Sequence, residues 1–127
     1  LCQAKYHGKE KQPMITQKEL NSIDRSYFTV ITEGCYGVTL KSNNTRHCWY
    51  IACEDLGYCQ SFRILHTHHE GTPMHEHGHG KTLGSCIRQI RSHDEYQLKK
   101  DARKRRLARD RRRMARINEA DSRITMF

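Results

Sequence analysis

From residue 27 to residue 69 β-branched and aromatic stretches, with apolar and polar positions alternating over 35–41, are broken at short intervals by turn residues. That is the pattern of an antiparallel meander with one face buried. Strands are predicted over residues 27–31, 35–41, 46–53 and 58–69, with turns at 32–34, 42–45 and 54–57. A tight turn over Asn43 and Asn44 would pair Lys41 with Arg46. Leu40 then faces His47, Val38 faces Trp49 and Tyr36 faces Ile51 on the core side. Cys35, Gly37, Thr39, Cys48, Tyr50 and Ala52 take the other face, where the two thiols read as small half-buried side chains.

The period changes after Gly80 and Lys81. Leu83, Cys86, Ile87 and Ile90 recur at three and four residues, giving one apolar stripe on a helix that Thr82 can cap. Ser92, His93 and Asp94 interrupt that helix, and Asp94 is placed to cap a second one running through Tyr96 and Leu98 into a basic segment. Leu20 and Ile23 suggest no more than a helical turn ahead of the fold. The expected class is α+β: an antiparallel meander of about four or five strands with one packing helix, then a long basic C-terminal helix. Residues 1–25 are expected to be a poorly ordered N-terminal extension, 26–93 the α+β domain, 94–120 the basic arm and 121–127 a tail.

Charge sharpens that division. Residues 99–116 hold 11 of the 23 Lys and Arg residues and two of the 14 acids, so the formal net charge of +9 lies wholly in this segment. With Ala, Leu107 and Met114 as helix formers and no Gly or Pro, it reads as a helix without a solid apolar face. Arginine outnumbers lysine eight to three there, and the planar guanidinium fork suits phosphate oxygens. Lys99, Lys100, Arg103, Lys104, Arg105, Arg106, Arg109, Arg111, Arg112, Arg113 and Arg116 are therefore the candidate nucleic-acid contacts. A membrane-surface helix is disfavoured, because Leu107, Met114 and Ile117 offer too little apolar area.

Six of the nine histidines fall between residues 66 and 79. If residues 70–73 form a four-residue hairpin tip, His68 pairs with His75 and His66 with His77, with His79 one step beyond on the same face. His66, His68, His75 and His77 are then candidate ligands of a divalent transition metal, zinc being one of several ions that accept imidazole. A solvent-facing polar hairpin is the plainer alternative, and a mixed zinc site of Cys53, Cys59 and His66 another. No nucleophile elbow, phosphate-cradling glycine loop or paired-acid motif is present, so no catalytic residue is named.

The length, 127 residues, suits one modest domain with an appendage. No run of about 20 apolar residues exists to span a membrane, and the first residues have no apolar signal-peptide core. The six cysteines show no compact framework, and Met14 reads as the opening of a cytosolic protein, so a reducing cytoplasm and free thiols are expected. The sequon at Asn43 and the basic run at 103–106 are the signals for secretion. The order of a Met14-Ile15-Thr16-Gln17-Lys18-Glu19-Leu20 opening, a strand meander and a His-rich segment ending at Arg91-Ser92-His93-Asp94 resembles small accessory proteins of bacterial mobile elements. That resemblance covers residues 14–94 and implies a cytosolic setting near DNA.

The expected function is non-catalytic binding of DNA or RNA through the arm, with the sheet domain as platform. Rival readings are a protein-interaction module that docks an acidic partner, and a metal-dependent nuclease using the His-rich hairpin with Glu70 or Glu76. Oligomeric state is not indicated.

Overall fold

The computed structural model describes residues 14–55 and 60–125. Its elements, in chain order, are α1 (Gln17–Asn21), β1 (Phe28–Glu33), β2 (Gly37–Ser42), β3 (Cys48–Asp55), β4 (Gln60–Thr67), β5 (His75–Gly80) and α2 (Leu83–Thr125). The strands form one antiparallel sheet in the order β1-β2-β3-β4-β5. The α+β meander with a long C-terminal helix is thus present, with five strands. The turn expected over residues 54–57 lies partly outside the described residues.

The β2–β3 register differs from the expected one by two residues. Lys41 lies opposite Cys48, Leu40 opposite Trp49 and Val38 opposite Ile51. The connection is wider than an Asn-Asn turn. Ser42 N donates to His47 O at 2.9 Å, Arg46 N donates to Ser42 O at 2.8 Å, and Arg46 adopts a left-handed φ of 69°. Because side chains alternate with a period of two, an even shift leaves every residue on its expected face. Val38, Leu40, Trp49 and Ile51 are accordingly buried in the core. Tyr36 is the exception: β2 starts one residue later, and this ring is 54% exposed. Cys35 is exposed and Cys48 fully buried, so neither is the half-buried thiol expected.

Residues 14–25 belong to this core, contrary to the poorly ordered extension expected there, and residues 1–13 of that expected extension lie outside the described residues. Thr16 caps α1: its Oγ1 accepts from Glu19 N at 3.1 Å, while the Glu19 carboxylate accepts from Thr16 N at 3.0 Å. Ile15, Leu20 and Ile23 are buried with Phe28, Phe62 and Ile64. Each such side chain removed from water contributes about 1.5–3 kcal/mol, which a helix of five residues needs in order to persist.

Thr82 begins α2 as expected, accepting from Ser85 N at 3.0 Å. Leu83, Cys86 and Ile90 are buried and Ile87 packs against them. Gly80 lets the helix start close to the sheet, since a Cβ there would stand 2.5 Å from Ser85 Oγ and 2.7 Å from Cys86 Sγ.

The expected break at residues 92–94 is absent, and the helix runs through it. Asp94 is fully buried instead of capping. It accepts from Tyr27 OH at 2.7 Å and Thr45 Oγ1 at 3.0 Å, so a side chain read as a local stop is a tertiary latch. Burial first, and the hydrogen bond to Asp94 second, push the Tyr27 hydroxyl up to about 12. Arg91 lies 4.3 Å above the Tyr27 ring. The chain divides into two compact units, Leu1–Asp94 and Glu95–Phe127.

Candidate functional site

The last hairpin differs from the expected one at both its tip and its ladder. His66 lies opposite His75, not His77, and residues 68–74 form a wider tip. Thr72 folds that tip, donating from N at 3.3 Å and Oγ1 at 2.6 Å to His69 O. Gly71 takes a φ of 85°. Along β5, Glu76 then pairs with Leu65 and Gly78 with Ile64, leaving His77 as an extra, bulged residue.

The bulge sorts the histidines. His77 reaches the core side, where its ring meets Trp49 edge-on at 5.2 Å. His79 lies opposite Arg63 on the other face, its Nε2 3.3 Å from Glu76 and 4.0 Å from Glu54. His79 does not continue the row of imidazoles as the plain alternation expected.

On the core side six imidazoles gather around Trp49. His66, 1% exposed, stacks on the indole at 4.0 Å and has its Nε2 3.0 Å from His47 Nδ1. His68 stacks on His47 at 4.4 Å, His75 stands 5.2 Å from His66, and His93 reaches the cluster from α2, 5.2 Å from Trp49. Burial first, then the neighbouring imidazoles, push the His66 pKa down to about 3. His77 is lowered by burial and then by His75, and His93 by burial and then by His77, with Asp94 opposing the shift at His93. Neutral imidazole is the form that binds metals.

Two triads bring ring nitrogens within 4.8 Å of one another: His47, His66 and His68, and His66, His77 and His93. Of the four expected ligands, the structure puts His66 in both triads, His68 and His77 in one each, and His75 in neither. The expected neighbours His66 and His77 share a triad although they are not opposite each other in the ladder, and the added partners are His93 on α2 and His47, the residue before β3.

His47 and His93 were not among the sequence candidates. A signal for each existed: His47 has core-face parity on its strand, and His93 extends the Leu83, Cys86, Ile90 stripe by three residues. The mixed zinc site is not assembled by the described residues. Cys53 lies opposite Phe62, four positions along β3 from the Trp49–His66 pair, about 13 Å at strand rise, and Cys59 lies outside the described residues. Glu76 is on the opposite face and Glu70 pairs with Lys41 at 3.4 Å, so neither stands as a general base beside the imidazoles.

The second candidate region is residues 95–125. Lys99, Lys100, Arg103, Lys104, Arg105, Arg106, Arg109, Arg111, Arg112, Arg113 and Arg116 all lie on α2 and are all exposed. At about 100° per residue, Arg105, Arg106, Arg109, Arg112, Arg113 and Arg116 fall within a sector about 120° wide, a continuous strip of guanidinium groups. Two ion pairs of this unit, Lys99 with Glu95 at 3.1 Å and Arg123 with Glu119, lie before and after the strip in sequence. No helix among the described residues is long and apolar enough to cross a membrane. In comparisons with family models, curated proteins and solved structures, nothing matches this chain.

Proposed function

We propose that this chain binds nucleic acid without acting on it chemically, through the cations of residues 99–116, with the sheet domain as its folded platform and the cytoplasm as its setting. The carrying observation is the strip of six exposed arginines on one side of α2. Guanidinium groups at helical spacing offer bidentate donors to successive phosphates, and the exposure of the strip puts its charge within reach of a polyanion. No aromatic residue interleaves these arginines, so phosphate contact rather than base stacking would supply the affinity.

Affinity for duplex DNA and for duplex RNA, measured against salt, tests this reading. Eighteen helical residues span about 27 Å, enough for about four to seven phosphate contacts and hence a log–log slope between about −3.5 and −6.5. Replacing Arg105, Arg106, Arg109, Arg112 and Arg113 by Ala should flatten the slope and weaken binding to both duplexes. Unchanged affinity and slope in that variant would remove the helix as the binding site. Tight binding to an acidic protein, with none to either duplex, would transfer the strip to a protein partner.

A further inference from the structure

Beyond that reading, we propose that His66, His77 and His93 form a binding site for one divalent transition-metal ion of the imidazole-preferring class, zinc, copper or nickel. The three residues come from β4, β5 and α2, so a bound ion would tie the last hairpin to the first turns of the helix. Their ring nitrogens lie within 4.8 Å of one another. Their ring centroids stand 5.7, 4.7 and 5.0 Å apart, with interplanar angles of 66°, 67° and 89°.

Three imidazoles held at about 2.0–2.1 Å from a tetrahedral ion place their centroids about 5 Å apart. The triangle is therefore close to its ligated size before any ion enters, and the splayed planes keep the rings from colliding at its centre. A fourth position is left for water or for a further side chain, His75 being the next ring along β5.

Three further observations favour this triad over His47, His66 and His68. First, His93 keeps a buried Nδ1 with no hydrogen-bond partner among the described residues. Buried polar atoms are ordinarily satisfied, and coordination is one way to satisfy a ring nitrogen. Secondly, the three residues of the preferred triad lie within β4, β5 and α2, whereas His68 lies in the hairpin tip beyond β4; strands and helices hold ligands to closer tolerance than loops. Thirdly, His47 and His68 lie nearly parallel, 12° between planes at 4.4 Å, a stack that fills the space between two rings. His47 is better placed as the outer partner that orients His66 through the 3.0 Å nitrogen contact.

The test uses the full chain, stripped with chelator and titrated with Zn²⁺ by calorimetry and with Co²⁺ by absorption. One equivalent of each should bind, Co²⁺ should show the ligand-field spectrum of a low-coordinate nitrogen site, and Zn²⁺ should raise the thermal midpoint. His77→Gln and His93→Gln should each weaken Zn²⁺ by more than the roughly 10–100-fold that loss of an outer-shell partner costs. His68→Gln and His79→Gln should leave binding unchanged. Neither His77 nor His93 is fully buried, so both variants are expected to fold; should His93→Gln not fold, His77→Gln alone decides. Absence of saturable uptake overturns the proposal. So does loss of binding in His68→Gln with retention in His77→Gln, which would move the ion to the other triad.

Discussion

The histidine cluster and the arginine strip are both dense in nitrogen bases, yet they occupy opposite environments. Around Trp49 the bases are packed ring on ring, and burial holds His66, His77 and His93 toward the neutral form. On residues 99–116 every cationic side chain is in water. The difference follows from the free side chains. Imidazole gives up its proton near neutral pH and can then enter a core, whereas guanidinium never does and must stay solvated or meet an anion. Basic residues in a sequence are thus two populations, and counting them together conceals which can become ligands and which remain charges.

That contrast breaks most visibly at its hub. Trp49 is fully buried, and its Nε1 donates to Ser42 Oγ at 3.1 Å. Trp49→Ala should destabilise the Leu1–Asp94 unit by about 3–5 kcal/mol, read by urea denaturation. A loss below about 1 kcal/mol would mean that the imidazoles pack without it.

Acid provides the next largest effect in metal-free protein. His66 is held at about 3 in the folded state against about 6.5 in an unfolded chain. Below pH 6.5 the unfolded state therefore binds the proton that the folded state refuses, and stability falls as pH falls. The slope for His66 alone is half its limiting value of about 1.4 kcal/mol per pH unit at pH 6.5 and nears that limit by pH 5.0, so about 1.5 kcal/mol should be lost between the two. Denaturation midpoints at those two values, compared in wild type and His66→Gln, check the sign and its owner. Equal pH slopes in the two proteins would assign the effect elsewhere.

The smallest effect sharpens the other side of the comparison. Alanine at Arg105, Arg106, Arg109, Arg112 and Arg113 should shift thermal unfolding of the sheet unit by no more than about 0.5 kcal/mol, since these side chains are exposed. A larger loss would show that the strip contributes to the fold and not to ligand binding alone.

Much of the architecture was legible because it rests on periodicity. The alternation through Val38, Leu40, Trp49 and Ile51 located the core face even with the register misplaced by two, and the Leu83, Cys86, Ile90 stripe located the packing helix. What stayed hidden depended on contacts between distant residues. Ser92, His93 and Asp94 look like a helix stop locally, and only Tyr27, just before β1, and Thr45, in the β2–β3 connection, explain why Asp94 can sit inside a helix. Ile15, Leu20 and Ile23 are too sparse to announce a core segment until the sheet end they cover is known. The imidazole cluster was legible in part for the same reason: His66, His68 and His77 could be read from the hairpin, whereas His93 on α2 and His47, just before β3, lie outside it.

The single unpaired residue in β5 also bears on how this chain tolerates change in length. In a repeating His-Gly-His-Gly stretch, parity alone decides which imidazoles enter the core and which glycines pass beneath the helix. Inserting one residue between Gly78 and His79 would reverse that assignment beyond it, bringing the His79 ring opposite Phe62, into the space that Gly80 keeps open for Cys86. Substitutions here alter one side chain, but a one-codon insertion would rewrite the end of the edge strand. The segment is therefore expected to vary in composition more readily than in length.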